Sequence, residues 1–145
     1  MYALPFSIPG SAISPSLSLK GVGVLGVIVT HEIIVGDCLK KLKELDARSI
    51  QTVITSPPYF QLRNYGHDDQ IGQENTPTEY ISTLVEVFRA VKRVLKDDGT
   101  VWLNIGDSYV SGRFKGHGNL KAKDLYGFPH RVAFALQDDG WYLRS

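Results

Sequence analysis

The segment Thr55-Ser56-Pro57-Pro58-Tyr59-Phe60 follows directly after the run Ile50-Gln51-Thr52-Val53-Ile54. The alternation of apolar and polar residues in that run is typical of a β-strand, so Ser-Pro-Pro-Tyr is predicted to lie at the carboxyl end of a strand. Ligands bind at the carboxyl ends of strands in open α/β sheets. The position of this segment makes it a candidate binding or catalytic site.

The two prolines make this turn rigid, because each one fixes a φ angle and lacks a backbone N–H. The turn presents the Ser56 hydroxyl, the Pro57 carbonyl oxygen and the Tyr59 ring. These groups suit an exocyclic amino group on a planar base, since each acceptor takes one N–H and leaves the nitrogen lone pair facing an electrophile. The alternative is a rigid strand-to-loop turn with a packed tyrosine.

Three stretches in a fixed order resemble the DNA amino-methyltransferases, which transfer a methyl group from S-adenosylmethionine to cytosine N4 or adenine N6. They are Ile33-Ile34-Val35-Gly36-Asp37-Cys38-Leu39, the Ser-Pro-Pro-Tyr motif, and residues 70–74 through 104–109. The resemblance covers residues 30–145 and matches the subgroup in which the catalytic motif precedes the main cofactor motif. It implies an α/β fold with an incomplete, mostly parallel, Rossmann-like sheet.

The resemblance also implies roles for individual residues. Ser56, Pro57, Pro58 and Tyr59 correspond to the catalytic motif, and Asp37 corresponds to the residue that hydrogen-bonds the adenine amino group of S-adenosylmethionine. A second role is open for Asp37, because Asp is favoured at helix N-caps and residues 38–45 have a helical pattern. Serine in the first motif position favours cytosine N4 over adenine N6.

Two loops carry the candidate DNA contacts. In the family the loop after the catalytic motif covers the active site, so Phe60 and Arg63 are assigned to DNA and Tyr65 is a further candidate. Residues 111–124 lack apolar periodicity, and their cations are suited to phosphates, which receive most protein–DNA hydrogen bonds. A solvated linker is the alternative for this segment. Its cations are Arg113, Lys115, Lys121 and Lys123.

Length and composition set broad limits. The chain has 145 residues and a formal net charge of +1, so it has the size of one domain and gives no general electrostatic argument for nucleic acid. The single Cys38 cannot form an internal disulfide, and a reducing cytoplasm is therefore expected. The cluster around His67 matches no zinc spacing, so no metal is expected.

The remaining elements alternate between strand and helix. Residues 1–29 are predicted to be a flexible or edge-paired extension, and their apolar run is shorter than the ~20 residues that a membrane span requires. A strand is predicted in residues 31–35. A capping box at Thr76 and Glu79 predicts the start of a long helix that ends at Gly99. A strand over residues 100–105, a helix over 129–137 and a strand from Trp141 follow, which indicates a parallel sheet.

The family's glycine-rich cofactor turn, Phe-x-Gly-x-Gly after a strand, does not occur in this sequence. The chain is therefore expected to be the catalytic-motif part, residues 30–145, of a site-specific DNA methyltransferase of restriction-modification type, and to be inactive alone. The expected partners are double-stranded DNA with a flipped base and either a missing C-terminal half or a cognate restriction endonuclease. The alternatives are a non-catalytic fragment that binds DNA or a partner subunit, and methylation of RNA or of a protein amide.

Overall fold

The computed structural model describes residues 2–3, 17–22, 28–110 and 119–144. These ranges contain five strands and three helices. In chain order they are β1 (Tyr2–Ala3), β2 (Leu17–Val22), β3 (Ile28–Ile33), α1 (Cys38–Glu44), β4 (Ile50–Thr55), α2 (Pro77–Val94), β5 (Leu95–Leu103) and α3 (Phe128–Asp138). The mixture of helices and strands confirms the predicted α/β class.

The main sheet has the strand order β1-β4-β5, and both neighbouring pairs are parallel. Strands β4 and β5 are joined through α2, which is the crossover that a parallel pair requires. At the carboxyl edge of the sheet, the Asn104 N–H donates to the Thr55 carbonyl at 2.9 Å. The predicted parallel sheet is confirmed, and its carboxyl edge brings the segments after β4 and β5 together.

A separate two-stranded sheet lies earlier in the chain. Strands β2 and β3 are antiparallel, with Leu17 opposite Ile33 and Val22 opposite Ile28. The strand predicted over residues 31–35 is therefore confirmed only in part, because β3 ends at Ile33 and pairs outside the main sheet. Strand β3 also crosses the predicted boundary at residue 30, and most of residues 1–29 lie outside the described ranges. The division into extension and methyltransferase part stays a prediction.

Helices α1 and α2 cover one face of the main sheet with a core of aliphatic residues and one phenylalanine. Its fully buried members are Leu42, Ile50, Val53, Phe88, Val91, Val94 and Leu95. On the opposite face Ile54 and Trp102 are register partners, and they are 40% and 61% exposed. We call Thr52, Ile54, Thr100 and Trp102 the open sheet face, since parallel sheets are usually covered on both faces.

A second core cluster lies next to the carboxyl edge of the sheet and is rich in aromatic rings. Phe60 packs against Tyr80, Tyr126 and Phe128, with ring centroids 5.2 to 5.6 Å apart. We call these four residues the aromatic cluster. Because its members come from the turn after β4, from α2 and from the start of α3, the cluster joins these elements beneath the edge of the sheet.

Helix α2 begins as predicted but ends earlier. The Glu79 N–H donates to Thr76 Oγ1 at 3.2 Å and the Thr76 N–H donates to Glu79 Oε2 at 3.0 Å, which completes the capping box. The predicted end at Gly99 is wrong, because Leu95 already has extended angles (φ −70°, ψ 144°) and starts β5. Gly99 lies within β5, where a Cβ would be 2.9 Å from the Lys96 carbonyl oxygen.

The last helix is confirmed, whereas the strand after it is not. Helix α3 covers the predicted residues 129–137 with one more residue at each end. Residues 141–144 are not in a strand, so the prediction of a strand from Trp141 is wrong. The Trp141 ring instead packs edge-on against Phe88, and Lys92 Nζ lies 5.5 Å from its centroid. In the described ranges no helix is long and apolar enough to cross a membrane.

Candidate active site

The Ser-Pro-Pro-Tyr turn lies at the carboxyl end of β4, as predicted. Pro57 and Pro58 are buried, Tyr59 is half-buried and Ser56 is exposed. The Ser56 and Tyr59 hydroxyl oxygens are 3.2 Å apart and share a hydrogen bond. The buried prolines thus anchor the turn, while its two hydroxyl-bearing side chains stand together at the edge of the sheet.

The two proline carbonyls differ in their surroundings. The Pro58 carbonyl accepts a hydrogen bond of 2.9 Å from the Tyr80 hydroxyl. No donor from the described part of the chain is hydrogen-bonded to the Pro57 carbonyl. Burial raises the pKa of the Tyr80 hydroxyl far above its usual value, with a further rise from Glu74, so Tyr80 remains a proton donor. Of these two carbonyls, that of Pro57 is therefore the candidate acceptor for a ligand.

The Tyr59 ring lies against the segment that follows β5. A Cβ at Gly106 would be 2.8 Å from Cε2 of Tyr59 and 3.2 Å from its Cδ2. Real Cβ atoms do not approach a ring that closely, so the position of the ring depends on a glycine at residue 106. Residues 104–109 belong to one of the three stretches that carry the family resemblance, and the structure brings Gly106 of this segment into contact with the Tyr59 ring of the motif.

Residues 71–74 close against the other side of the turn. The Gln61 N–H donates to the Gly72 carbonyl at 2.7 Å, and Gln61 Nε2 donates to the Glu74 carbonyl at 2.8 Å. Gly72 has a φ of +93°, which favours glycine, and a Cβ there would be 2.9 Å from the Tyr59 carbonyl oxygen. These contacts fix the backbone conformation of the segment that follows Tyr59.

Asp107 joins the end of β5 to the start of α3. Its carboxylate accepts from the N–H groups of Gly127 at 2.9 Å, Phe128 at 3.2 Å and Ser108 at 2.9 Å. Gly127, the N-cap residue of α3, has no side chain to satisfy the free N–H groups of the first turn. Asp107 therefore caps α3 from 20 residues away, and local sequence patterns did not predict that role.

Asp37 caps α1, because its Oδ1 accepts from the Lys40 N–H at 2.9 Å. This confirms the capping role that the sequence left open, whereas the cofactor role stays a prediction. Asp37 also lines a cavity of 440 Å³ next to Pro58, which is within the range of about 300–1,000 Å³ common for small-molecule sites. The other lining residues are Cys38, Lys40, Tyr65, His67, Asp68, Asp69, Gln70 and Ile71.

The cavity is lined by a half-buried thiol, three carboxylates and an aromatic ring. Burial raises the pKa of the half-buried Cys38 thiol, and the neighbouring Asp37 raises it further, so Cys38 stays protonated. Across the described ranges, no group of three or more His, Cys, Asp or Glu residues is placed to hold a metal ion. The carboxylate, the peptide groups of the loop and the Tyr65 ring are suited to a polar, planar ligand.

The candidate DNA contacts fall into three groups. Phe60 is 2% exposed because its ring packs in the aromatic cluster, so in this arrangement its side chain offers almost no surface for the predicted DNA contact. Arg63, Lys121 and Lys123 are exposed, and the Arg63 carbonyl accepts from Gln73 Nε2 at 3.1 Å. The remaining candidates are Tyr65, which lines the cavity next to Pro58, and Arg113 and Lys115, which lie outside the described residues.

Tyr80 was not among the site residues predicted from the sequence, although a signal was present. Tyr80 stands four residues before Leu84 and eight before Phe88, which is the spacing of the buried face of α2. The residue therefore belongs to the apolar stripe by position. Its hydroxyl contact with Pro58 depends on tertiary packing and has no local signature.

The Ser-Pro-Pro-Tyr turn of this α/β chain lies at the carboxyl end of a parallel strand, where the resemblance to the DNA amino-methyltransferases places the catalytic motif. Residues 50–145 match the DNA methylase family N6_N4_Mtase. The chain belongs to this DNA methylase family, and the resemblance stated from the motifs is confirmed.

Three curated relatives give the extent of the match, and all are Type II methyltransferases. M.SmaI of Serratia marcescens is 50% identical over 132 residues, covering 79% of this chain and 45% of the relative. M.XycI of Xanthomonas campestris pv. cyanopsidis is 50% identical over 129 residues, covering 76% and 43%. M.SfiI of Streptomyces fimbriatus is 50% identical over 117 residues, covering 77% and 28%. The chain thus spans less than half the length of these relatives.

Proposed function

We propose that the protein carrying this chain is a site-specific DNA methyltransferase that uses S-adenosylmethionine and a Rossmann-like sheet to methylate an exocyclic base amine. The observation that carries the proposal is the arrangement of the Ser56 hydroxyl, the Pro57 carbonyl and the Tyr59 ring at the carboxyl end of β4. Membership of the DNA methylase family supports it.

The residues of the turn act on the target amine. Ser56 Oγ and the Pro57 carbonyl each accept one N–H, which reduces delocalisation of the nitrogen lone pair into the base and directs the lone pair outward. The Tyr59 ring stacks on the base, which must leave the duplex for its amine to be reached. With the cofactor bound, its methyl group would pass to the nitrogen as the sulfonium S–C bond breaks and leaves the uncharged thioether. Ser56 Oγ and the Pro57 carbonyl would stabilise the positive charge on the nitrogen, which would then lose one proton to solvent.

The 440 Å³ cavity is proposed as the site of the adenosine end of the cofactor. S-adenosylmethionine supplies an electrophilic methyl group when bound. The donor set fits this ligand, because the Asp37 carboxylate accepts from an exocyclic amino group and the Tyr65 ring offers a planar surface. Since Pro58 also lines the cavity, the cofactor and the target amine occupy adjacent places in this proposal.

Cytosine N4 is the proposed target atom. The proposal rests on Ser56, since the family resemblance associates serine at that position with cytosine and Asp or Asn with adenine. DNA phosphates are proposed to contact Arg63, Lys121 and Lys123, whose side chains are exposed. Arg113 and Lys115, a cognate restriction endonuclease and a cytoplasmic location stay predictions from the sequence.

A second candidate function is that of a fragment that acts only together with a further methyltransferase segment. The open sheet face favours it, because Ile54 and Trp102 are exposed side by side on a parallel sheet. The sequence also lacks the Phe-x-Gly-x-Gly turn. In this chain Asp37 would therefore contact only one end of the cofactor. The polypeptide of residues 1–145 is then expected to bind S-adenosylmethionine weakly in calorimetry and to self-associate in light scattering. Micromolar binding by a monomer would contradict this candidate.

A methylation assay tests the leading proposal. The whole protein is incubated with double-stranded DNA and radiolabelled S-adenosylmethionine, and the methylated base is identified by mass spectrometry. We expect N4-methylcytosine, and a rate about 10²–10³-fold lower for Ser56→Ala, which removes one acceptor. Detection of N6-methyladenine would overturn the choice of base. Full activity of Ser56→Ala at an unchanged melting temperature would overturn the proposed site.

A further inference from the structure

We propose that Tyr80 is a positioning residue, which holds the Pro58 carbonyl and so fixes the Pro-Pro turn with the Pro57 carbonyl as its open acceptor. The catalytic consequence of this inference rests on the proposed function, whereas the positioning itself is a property of the chain. The observation behind it is the hydrogen bond of 2.9 Å from the Tyr80 hydroxyl to the Pro58 carbonyl oxygen.

The Tyr80 hydroxyl is fixed from two directions. The capping box at Thr76 and Glu79 sets the start of α2, and Tyr80 is the next residue of the same turn. Its ring is 1% exposed, with its centroid 5.6 Å from that of Phe60 and 5.1 Å from that of Phe128. A side chain held at its backbone and on its ring has little freedom to move its hydroxyl away from Pro58.

The turn needs an anchor of this kind because it has few hydrogen-bonding groups of its own. Neither Pro57 nor Pro58 has a backbone N–H, so only the carbonyl oxygens of these two residues can be held. A buried carbonyl without a donor is costly, and a turn without the Tyr80 hydroxyl would gain by moving its Pro58 carbonyl toward another donor. The target amine would be one such donor, and the Pro57 carbonyl would then be displaced.

The hydroxyl is suited to act as a permanent donor. Burial raises the pKa of Tyr80, and the charge of Glu74 raises it further, so the hydroxyl keeps its proton over the pH range in which proteins are folded. The hydroxyl therefore remains a donor near neutral pH. Tyr80 lies behind the turn and is proposed to touch neither substrate nor cofactor.

Backbone dynamics of the chain test the positioning directly. Tyr80→Phe keeps the ring and removes only the hydroxyl. Tyr142→Phe, at a tyrosine that is 89% exposed, is the control for the loss of a tyrosine hydroxyl elsewhere in the chain. We expect ¹⁵N order parameters of about 0.85 at Ser56, Tyr59 and Phe60 in the unmodified chain and in the control, and a value below about 0.6 at Tyr59 in Tyr80→Phe. Equal order parameters in all three proteins would overturn the proposal.

Steady-state kinetics of the whole protein test the catalytic consequence. Tyr80→Phe is expected to lower kcat by roughly 10²-fold, as small misplacements of reacting groups do, with an unchanged KM for S-adenosylmethionine. A full kcat in Tyr80→Phe alongside a mobile turn would overturn this consequence. If the unmodified protein methylates no DNA, the proposed function fails, and the order parameters still decide whether Tyr80 positions the turn.

Discussion

The ring of Tyr59 rests on the backbone of Gly106, at a distance that leaves no room for a Cβ: the added atom would lie 2.8 Å from Tyr59 Cε2. These two residues follow the neighbouring strands β4 and β5. Gly106, which follows β5, thus determines where the Tyr59 ring, which follows β4, can lie. A residue outside the Ser-Pro-Pro-Tyr motif therefore sets the proposed stacking position of a base.

Gly106→Ala is expected to displace the Tyr59 ring and to raise the KM for DNA. A lost stacking contact is worth ~1–3 kcal/mol per base, which corresponds to roughly 5-fold to 150-fold. The measurement is methylation kinetics with a short duplex. In a Tyr59→Ala background the same substitution should have almost no further effect, because the ring it displaces is absent. Equal effects in both backgrounds would show that Gly106 acts elsewhere.

Tyr59→Ala is expected to weaken capture of an extruded base far more than Tyr59→Phe, because stacking uses the ring and not the hydroxyl. The structure gives the hydroxyl a smaller role, namely its 3.2 Å hydrogen bond with Ser56. Phenylalanine releases that bond and leaves the ring on Gly106. Binding constants for a duplex with a mismatched target base compare the two variants, and equal losses would refute the stacking role.

Asp37→Ser separates helix capping from cofactor binding. Serine is about as good an N-cap as aspartate, so α1 and the melting temperature should change little. The shorter side chain is expected not to reach an adenine amino group, and the affinity of the whole protein for S-adenosylmethionine should fall. Lys43→Ser, at an exposed position of the same helix, is the control. Unchanged affinity in calorimetry would remove Asp37 from the cofactor site.

Asp107→Ala is expected to lower the free energy of unfolding by about 1–2 kcal/mol, as the loss of a helix cap does. The reason is that the N–H groups of Gly127 and Phe128 lose the carboxylate that now accepts from them. Asp107→Asn keeps one acceptor oxygen and should cost less. Urea denaturation of the three proteins gives the comparison, and equal stability of all of them would contradict the capping role.

Local patterns predicted the elements well where the decisive contacts are close in sequence. The capping box of α2 and the N-cap of α1 each follow from residues three positions apart, and strand β4 follows from six consecutive residues. The end of α2 was misplaced because a glycine was taken as a helix stop. Gly99 is required instead by a tertiary approach, in which a Cβ would be 3.2 Å from the Gln51 carbonyl oxygen.

The sequence predicted the position of the Ser-Pro-Pro-Tyr motif but not the residues that pack behind it. Ser56 to Tyr59 stand at the carboxyl end of a strand, as the sequence indicated. Phe60, the next residue, was assigned to DNA because of its position in the chain, but rings from α2 and from the start of α3 surround it. Those partners are 20 or more residues away, so its burial follows from packing that sequence alone does not reveal.

The two tryptophans of the chain stand in contrasting surroundings and make separate optical reporters. Trp102 is 61% exposed on the open sheet face, so its emission should shift to shorter wavelength when another segment covers that face. Trp141 packs edge-on against Phe88 at 6.3 Å and senses the docking of the chain after α3. With Trp141 replaced by Phe, the remaining tryptophan emission would come from Trp102. It would report only whether the open sheet face is covered, in solution and in real time.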